Sequence, residues 1–112
     1  MKYIHFPTLL LHGGLLVFAH AAINHYHDAF LLVSIAALIL HAVWSARSKK
    51  QMAISHALGC AAQFAVFQFG LIDVNSGAFG LGGGEFALFF YEIALIASLV
   101  AAVIIGLFKR TA

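Results

Sequence analysis

Ser45-Ala46-Arg47-Ser48-Lys49-Lys50-Gln51 holds three of the chain's six Lys and Arg residues and stands between two long apolar runs. Such a segment reads as the cytoplasmic loop of a membrane hairpin, because short loops rich in Lys and Arg stay on the inner side of a bilayer. Working outward from it, apolar runs cover residues 6–23, 29–46, 52–72 and 86–108. The other cations are Lys2 before the first run and Lys109-Arg110 after the last. If there are four spans, all six fall on one face and none on the other. The expected fold is therefore all-α: a single domain over residues 1–112, with four transmembrane helices in an antiparallel up-down bundle. The expected location is a bacterial-type inner membrane, crossed several times, with both termini cytoplasmic.

Composition agrees. The chain is 63% hydrophobic and 9% charged, with a mean hydropathy of +1.01, whereas soluble domains carry roughly 25% charged residues. So few charges cannot clothe a soluble surface of this size. The net charge of +2 comes from the loop and the ends rather than from a basic face, so nucleic acid is not an expected partner. The single cysteine, Cys60, excludes an internal disulfide and any multi-cysteine cluster, and its small side chain suits packing. Ala19-His20-Ala21 imitates a signal-peptidase site, but His12 interrupts the would-be signal core, so a retained helix is expected. The glycine-rich Gly77–Gly84 lacks the Gly-Lys-Ser/Thr ending of a phosphate-binding loop and reads as a connection.

Seven histidines are unusual in so apolar a chain, since imidazole in hydrocarbon needs a partner or a task. Counting about 1.5 Å per helical residue sorts the buried polar groups into layers. His12, His41 and His56 fall at one level in the inner half. Two imidazoles on opposite sides suit a b-type haem, and three at one level suit Zn or Cu with Gln63 or Ser55 behind them. Hydrogen bonding between helices is the plainer use of the same groups. At 100° per residue His56, Gly59, Cys60, Gln63 and Phe67 form one stripe, which should face protein rather than lipid.

In the outer half His20, Gln68 and Glu92 lie at comparable depth, as a proton or ion pathway or as a structural pair. The turn His25-Tyr26-His27-Asp28 offers His25, His27 and Asp28 as ligands for Zn or Cu, or is simply a solvated hairpin tip. Aromatic residues gather toward the outer ends of the third and fourth runs. Small residues recur beside them: Gly59, Ala61 and Ala62 on the third, and Ala94, Ala97, Ser98, Ala101, Ala102 and Gly106 on the fourth. Close helix approach there suits self-association or docking on a larger membrane subunit.

No Ser-His-Asp, Cys-His or paired-carboxylate arrangement stands out, and the water-exposed segments are too short for a substrate cleft, so a catalyst acting alone is not expected. In size and span number the chain is similar to the small multidrug-resistance transporters. That family carries its essential acid in the first helix, where this chain has His12 and His20, so the resemblance stops there. The histidines on neighbouring helices resemble the haem-carrying membrane anchors of respiratory enzymes, which implies an accessory or anchor subunit of a redox complex. The alternatives are a homo-oligomeric channel or proton-coupled transporter using Glu92 and His20, and a membrane metal-handling protein.

Overall fold

The computed structural model describes residues 4–74 and 83–108. It has four α-helices and, among the described residues, no strand: α1 (Phe6–Ala22), α2 (His27–Ala46), α3 (Lys50–Gln68) and α4 (Gly83–Phe108). Lys2, Lys109, Arg110 and most of the glycine-rich connection lie outside the described residues.

Pro7 opens α1 in the first turn, where its missing N–H costs nothing. The α1–α2 turn is shorter than expected because α2 begins at His27 rather than 29. The His27 ring donates from Nδ1 to the Ile23 carbonyl at 2.7 Å, satisfying an acceptor left over at the end of α1. Helix α3 ends at Gln68, four residues before the expected 72, although the apolar sequence continues. Gly70 takes a φ of 69° there. Its N–H donates to the Phe67 carbonyl and the Leu71 N–H to the Val66 carbonyl, the paired bonds of a glycine-terminated helix end.

Each helix buries one stripe. On α1 it is Thr8, His12, Leu15, Ala19 and Ala22, and on α2 Phe30, Ser34, Leu38, His41 and Ser45. On α3 the stripe expected to face protein is buried throughout, and α4 contributes Ala87, Tyr91, Leu95, Ser98 and Ala102. Helix α3 packs on α4 and α1, and α2 packs on α4; α2 and α3 also touch, whereas α1 and α4 do not approach. The cross-section is thus a rhombus with α1 and α4 at its far corners.

Two helical segments, His27–Ala46 and Gly84–Phe108, are long and apolar enough to cross a membrane by length and composition. Helix α1 is apolar but has 17 residues, and α3 is interrupted by Ser55, His56, Gln63 and Gln68. The outer surface of all four helices is nevertheless apolar: Leu10, Val17, Leu32, Leu40, Leu58 and Leu107 are among the exposed side chains.

Candidate metal centre

The half of the bundle nearer the α2–α3 connection has a polar interior. Thr8, His12, His41, Ser45, Ser55, His56, Gln63 and Ser98 are all buried, and buried polar groups persist only where they find partners. His12 comes in from α1, His41 from α2 and His56 from α3, and the three rings meet. His41 stacks on His56 with centroids 4.9 Å apart and planes at 15°. His12 lies 4.9 Å from His56 at a steeper angle. The close approach of His12 depends on Gly59, because a Cβ at that position would overlap the His12 ring. That glycine lets α3 receive an imidazole where any other residue would push it out.

The partners form a directional chain. Tyr91 on α4 donates its O–H to Gln63 Oε1. That leaves the Gln63 amide nitrogen to donate to His12 Nδ1 at 2.8 Å. His12 Nε2–H then donates to His56 Nδ1 at 3.1 Å, and His56 Nε2–H to Ser98 Oγ at 2.8 Å. Every link has one donor and one acceptor with both imidazoles neutral. A second branch holds His41: its Nε2 is 3.0 Å from Thr8 Oγ1 and its Nδ1 is 3.2 Å from Ser45 Oγ. Thr8 in turn meets His5 Nδ1 at 2.7 Å, and the His5 backbone N–H donates to Ser55 Oγ at 2.7 Å.

Cys60 adds a sulfur, with Sγ 3.8 Å from His56 Nε2. His12, His56 and Cys60 each present one ligand atom, and these atoms lie within 4.8 Å of one another, all buried. Two imidazoles and a thiol are a donor set for Zn or Cu. With His56 bound through Nδ1, its Nε2–H already rests on Ser98, the outer support a ligating histidine needs; His12 would bind through Nε2 only with its proton on Nδ1 and the Gln63 amide oxygen turned to accept it. His41 has both nitrogens engaged elsewhere and serves as the stacked wall of the centre.

The other expected groups are placed differently. Gln68 donates to Glu92, joining α3 and α4, but His20 is exposed on α1, the helix that does not approach α4. His25 and Asp28 are exposed and His27 is tied to the Ile23 carbonyl. These three do not form a ligand group, and the buried His12, His56 and Cys60 do. His12 and His41, the pair expected to face each other across a haem, have ring centroids 6.5 Å apart at 72°, and the His56 ring stands 4.9 Å from each of them. The small residues of α3 and α4 line a shallow apolar groove of about 400 Å³ that includes Ala53, Ala57, Ala61, Ala102 and Gly106.

Four residues of the centre had weaker sequence signals. Cys60 reads as packing because it is alone, yet it follows His56 by four residues on the same stripe. Ser98 reads as one small residue among many, and Thr8 and Tyr91 carry no signal beyond their helical spacing.

Fold and site together define an all-helical protein whose exterior is apolar and whose interior carries a His-His-Cys cluster able to hold a metal ion. No protein-family model, curated protein or solved structure matches the chain.

Proposed function

We propose that this chain is a four-span membrane protein of the metal-handling class, holding one soft transition-metal ion on His12, His56 and Cys60. The observation that carries the reading is the convergence of three buried ligand atoms from α1 and α3, with a polar group behind each imidazole. The four-span arrangement draws support from the inverted distribution of polarity, polar within and apolar without, which suits hydrocarbon better than water. A 17-residue α1 reaches about 26 Å, short of a hydrocarbon core of about 30 Å, a gap that local thinning or flanking residues accommodate. The loop holding Arg47, Lys49 and Lys50 then faces the cytoplasm.

Charge selects among metals. Binding would release the Cys60 thiol proton to solvent; the resulting thiolate and two neutral imidazoles offset a monovalent ion, whereas a divalent ion leaves a net positive charge in a low-dielectric interior with no carboxylate beside it. Cu(I) also accepts three ligands, while structural Zn(II) asks for a fourth. Cu(I) is thus the preferred occupant. To accept it, His12 must move its proton to Nδ1, and the Gln63 amide turns over to present its oxygen. A haem-bearing anchor subunit draws less support, since the His56 ring stands against both His12 and His41 and both His41 nitrogens are held by Thr8 and Ser45.

The test is metal analysis of protein purified in mild detergent after loading with Cu(I) under reducing conditions, and separately with Zn(II). About one equivalent of copper is expected, retained in a His25→Ala/His27→Ala variant and lost in Cys60→Ser. Protein that takes up neither metal, or a Cys60→Ser variant that keeps its copper, would overturn the reading.

A further inference from the structure

The basic segment that marks topology also builds a cleft. At the inner end of the bundle a cleft of about 470 Å³ is lined by His5, Trp44, Arg47, Ser48, Lys49 and Gln51. It is assembled from two separate stretches: the residue before α1, and the α2–α3 connection with the adjoining turns of α2 and α3, which add Trp44, Gln51 and Met52. Nothing anionic balances it. The chain's four acidic side chains are Asp28, Asp73, Glu85 and Glu92, and all lie toward the opposite ends of the helices. Lys49 is the cap residue just before α3, it makes no side-chain capping bond, and the first turn of α3 contains no acid.

A helix N-terminus carries partial positive charge and free N–H groups, and it is ordinarily offset by Asp, Glu or a capping oxygen. Here Lys49 and Lys50 add to that charge instead. The rule that keeps cations in cytoplasmic loops explains their presence in this loop. It does not require a concave site, nor the convergence of His5 from another part of the chain. The Ser48 hydroxyl and the Trp44 indole N–H add neutral donors, and Trp44 is 63% exposed, as expected of an aromatic at a membrane boundary.

We propose that this cleft binds a phosphate group, supplied in the membrane by the headgroup of an anionic phospholipid. Arg47 offers a planar fork, Lys49 a point charge and the start of α3 its amides, the three donor types that recognise phosphate. Basic pockets at the cytoplasmic ends of membrane helices take lipid phosphates in this way. The lipid source rests on the four-span reading; the phosphate chemistry of the cleft does not.

Native mass spectrometry of protein released from nanodiscs of equal phosphatidylcholine and phosphatidylglycerol tests it. Retention of phosphatidylglycerol several-fold over phosphatidylcholine is expected, with the preference lost in Arg47→Gln/Lys49→Gln. Because removing two loop cations is able to alter orientation, Arg47→Lys supplies a second variant: it keeps the charge, removes the fork and should weaken the preference. Equal retention of both lipids by the unaltered protein overturns the proposal, as does a preference untouched by either variant. Displacement of the lipid by millimolar inorganic phosphate supports the phosphate site and moves its ligand from membrane to solution. Protein that does not enter nanodiscs removes the membrane reading, and a thermal shift with inorganic phosphate then decides the cleft alone. The metal reading is judged separately, because these variants leave His12, His56 and Cys60 in place.

Discussion

In the half of the bundle nearer the α1–α2 turn, Phe30 meets Tyr91 edge to face at 4.8 Å and Phe18 at 5.9 Å, and Phe67 meets Tyr91 at 5.9 Å. Ala19 and Ile23 fill the space around them. In the other half the same four helices bring together three imidazoles, three hydroxyl groups that bond them (Thr8, Ser45 and Ser98), an amide and a thiol. One end is joined by shape, the other by hydrogen bonds. In the proposed four-span arrangement, packing against lipid or protein differs little in free energy, so the apolar end specifies which helices meet through van der Waals fit. Hydrogen bonds between spans contribute only about 0.6 kcal/mol each on average. A polar interior is therefore a poor choice for stability alone, and its concentration at one end points to a task there.

The largest expected effect belongs to the apolar end. Phe30→Ala removes a fully buried ring from two aromatic contacts. It should cost about 3 kcal/mol, the low end of the range for Phe→Ala, if the proposed four-span arrangement holds and lipid rather than water is the reference. Equilibrium unfolding in detergent measures it. A loss under about 1 kcal/mol would mean that the polar end holds the bundle by itself, and the division between the halves would fall.

Metal should act on the other half only. At one hundred times its dissociation constant, Cu(I) is expected to stabilise the protein by about 2.7 kcal/mol, and Cys60→Ser should cancel the gain. Hydrogen exchange locates it: protection should rise around His12 and His56 and stay unchanged around Phe18 and Phe30. A uniform rise along all helices would show that the halves are coupled rather than separate.

What the sequence makes legible follows from periodicity and charge. The stripe His56, Gly59, Cys60, Gln63 and Phe67 is an arithmetic consequence of 100° per residue, and it is the buried face of α3. The common level of His12, His41 and His56 follows from helix rise. Rotation and adjacency do not follow, because any helix of a four-helix bundle can stand beside or opposite another with its own stripe unchanged. His20 and Glu92 share a depth, yet α1 and α4 occupy the far corners, so depth does not bring them together. The end of α3 was hidden for a different reason: Phe69, Leu71 and Ile72 continue the apolar composition, and only Gly70 marks the stop. Ser98 joins the centre through His56, a contact that no spacing within α4 reveals.

Gly59 is the hinge between shape and chemistry, and its replacement comes third in size. In Gly59→Ala the new methyl group would overlap the His12 ring, an overpacking that should cost about 1–3 kcal/mol. His12 would be driven off Gln63 and away from His56. The variant should therefore lose metal affinity along with stability. Loss of stability with copper binding intact would show that His12 is wall rather than ligand, leaving His56 and Cys60 to seek another partner.

The smallest effect should fall on Ser34, where the polar layer fails to close. Ser34 is fully buried on α2, between Phe30 and Leu38 on the same stripe. Its Oγ is the buried side-chain oxygen that finds no hydrogen-bond partner among the described residues. A buried hydroxyl without a partner opposes folding by about 1–3 kcal/mol when it is truly dry, and alanine removes the oxygen while leaving only a small void. Ser34→Ala should therefore leave the unfolding midpoint unchanged or raise it slightly, and copper binding should be untouched, because no link of the chain from Tyr91 to Ser98 passes through α2. A clear fall in stability would place a water between Ser34 and the histidines. The polar interior would then extend outward past Leu38, and the boundary between the two halves would move by about one helical turn, roughly 5 Å.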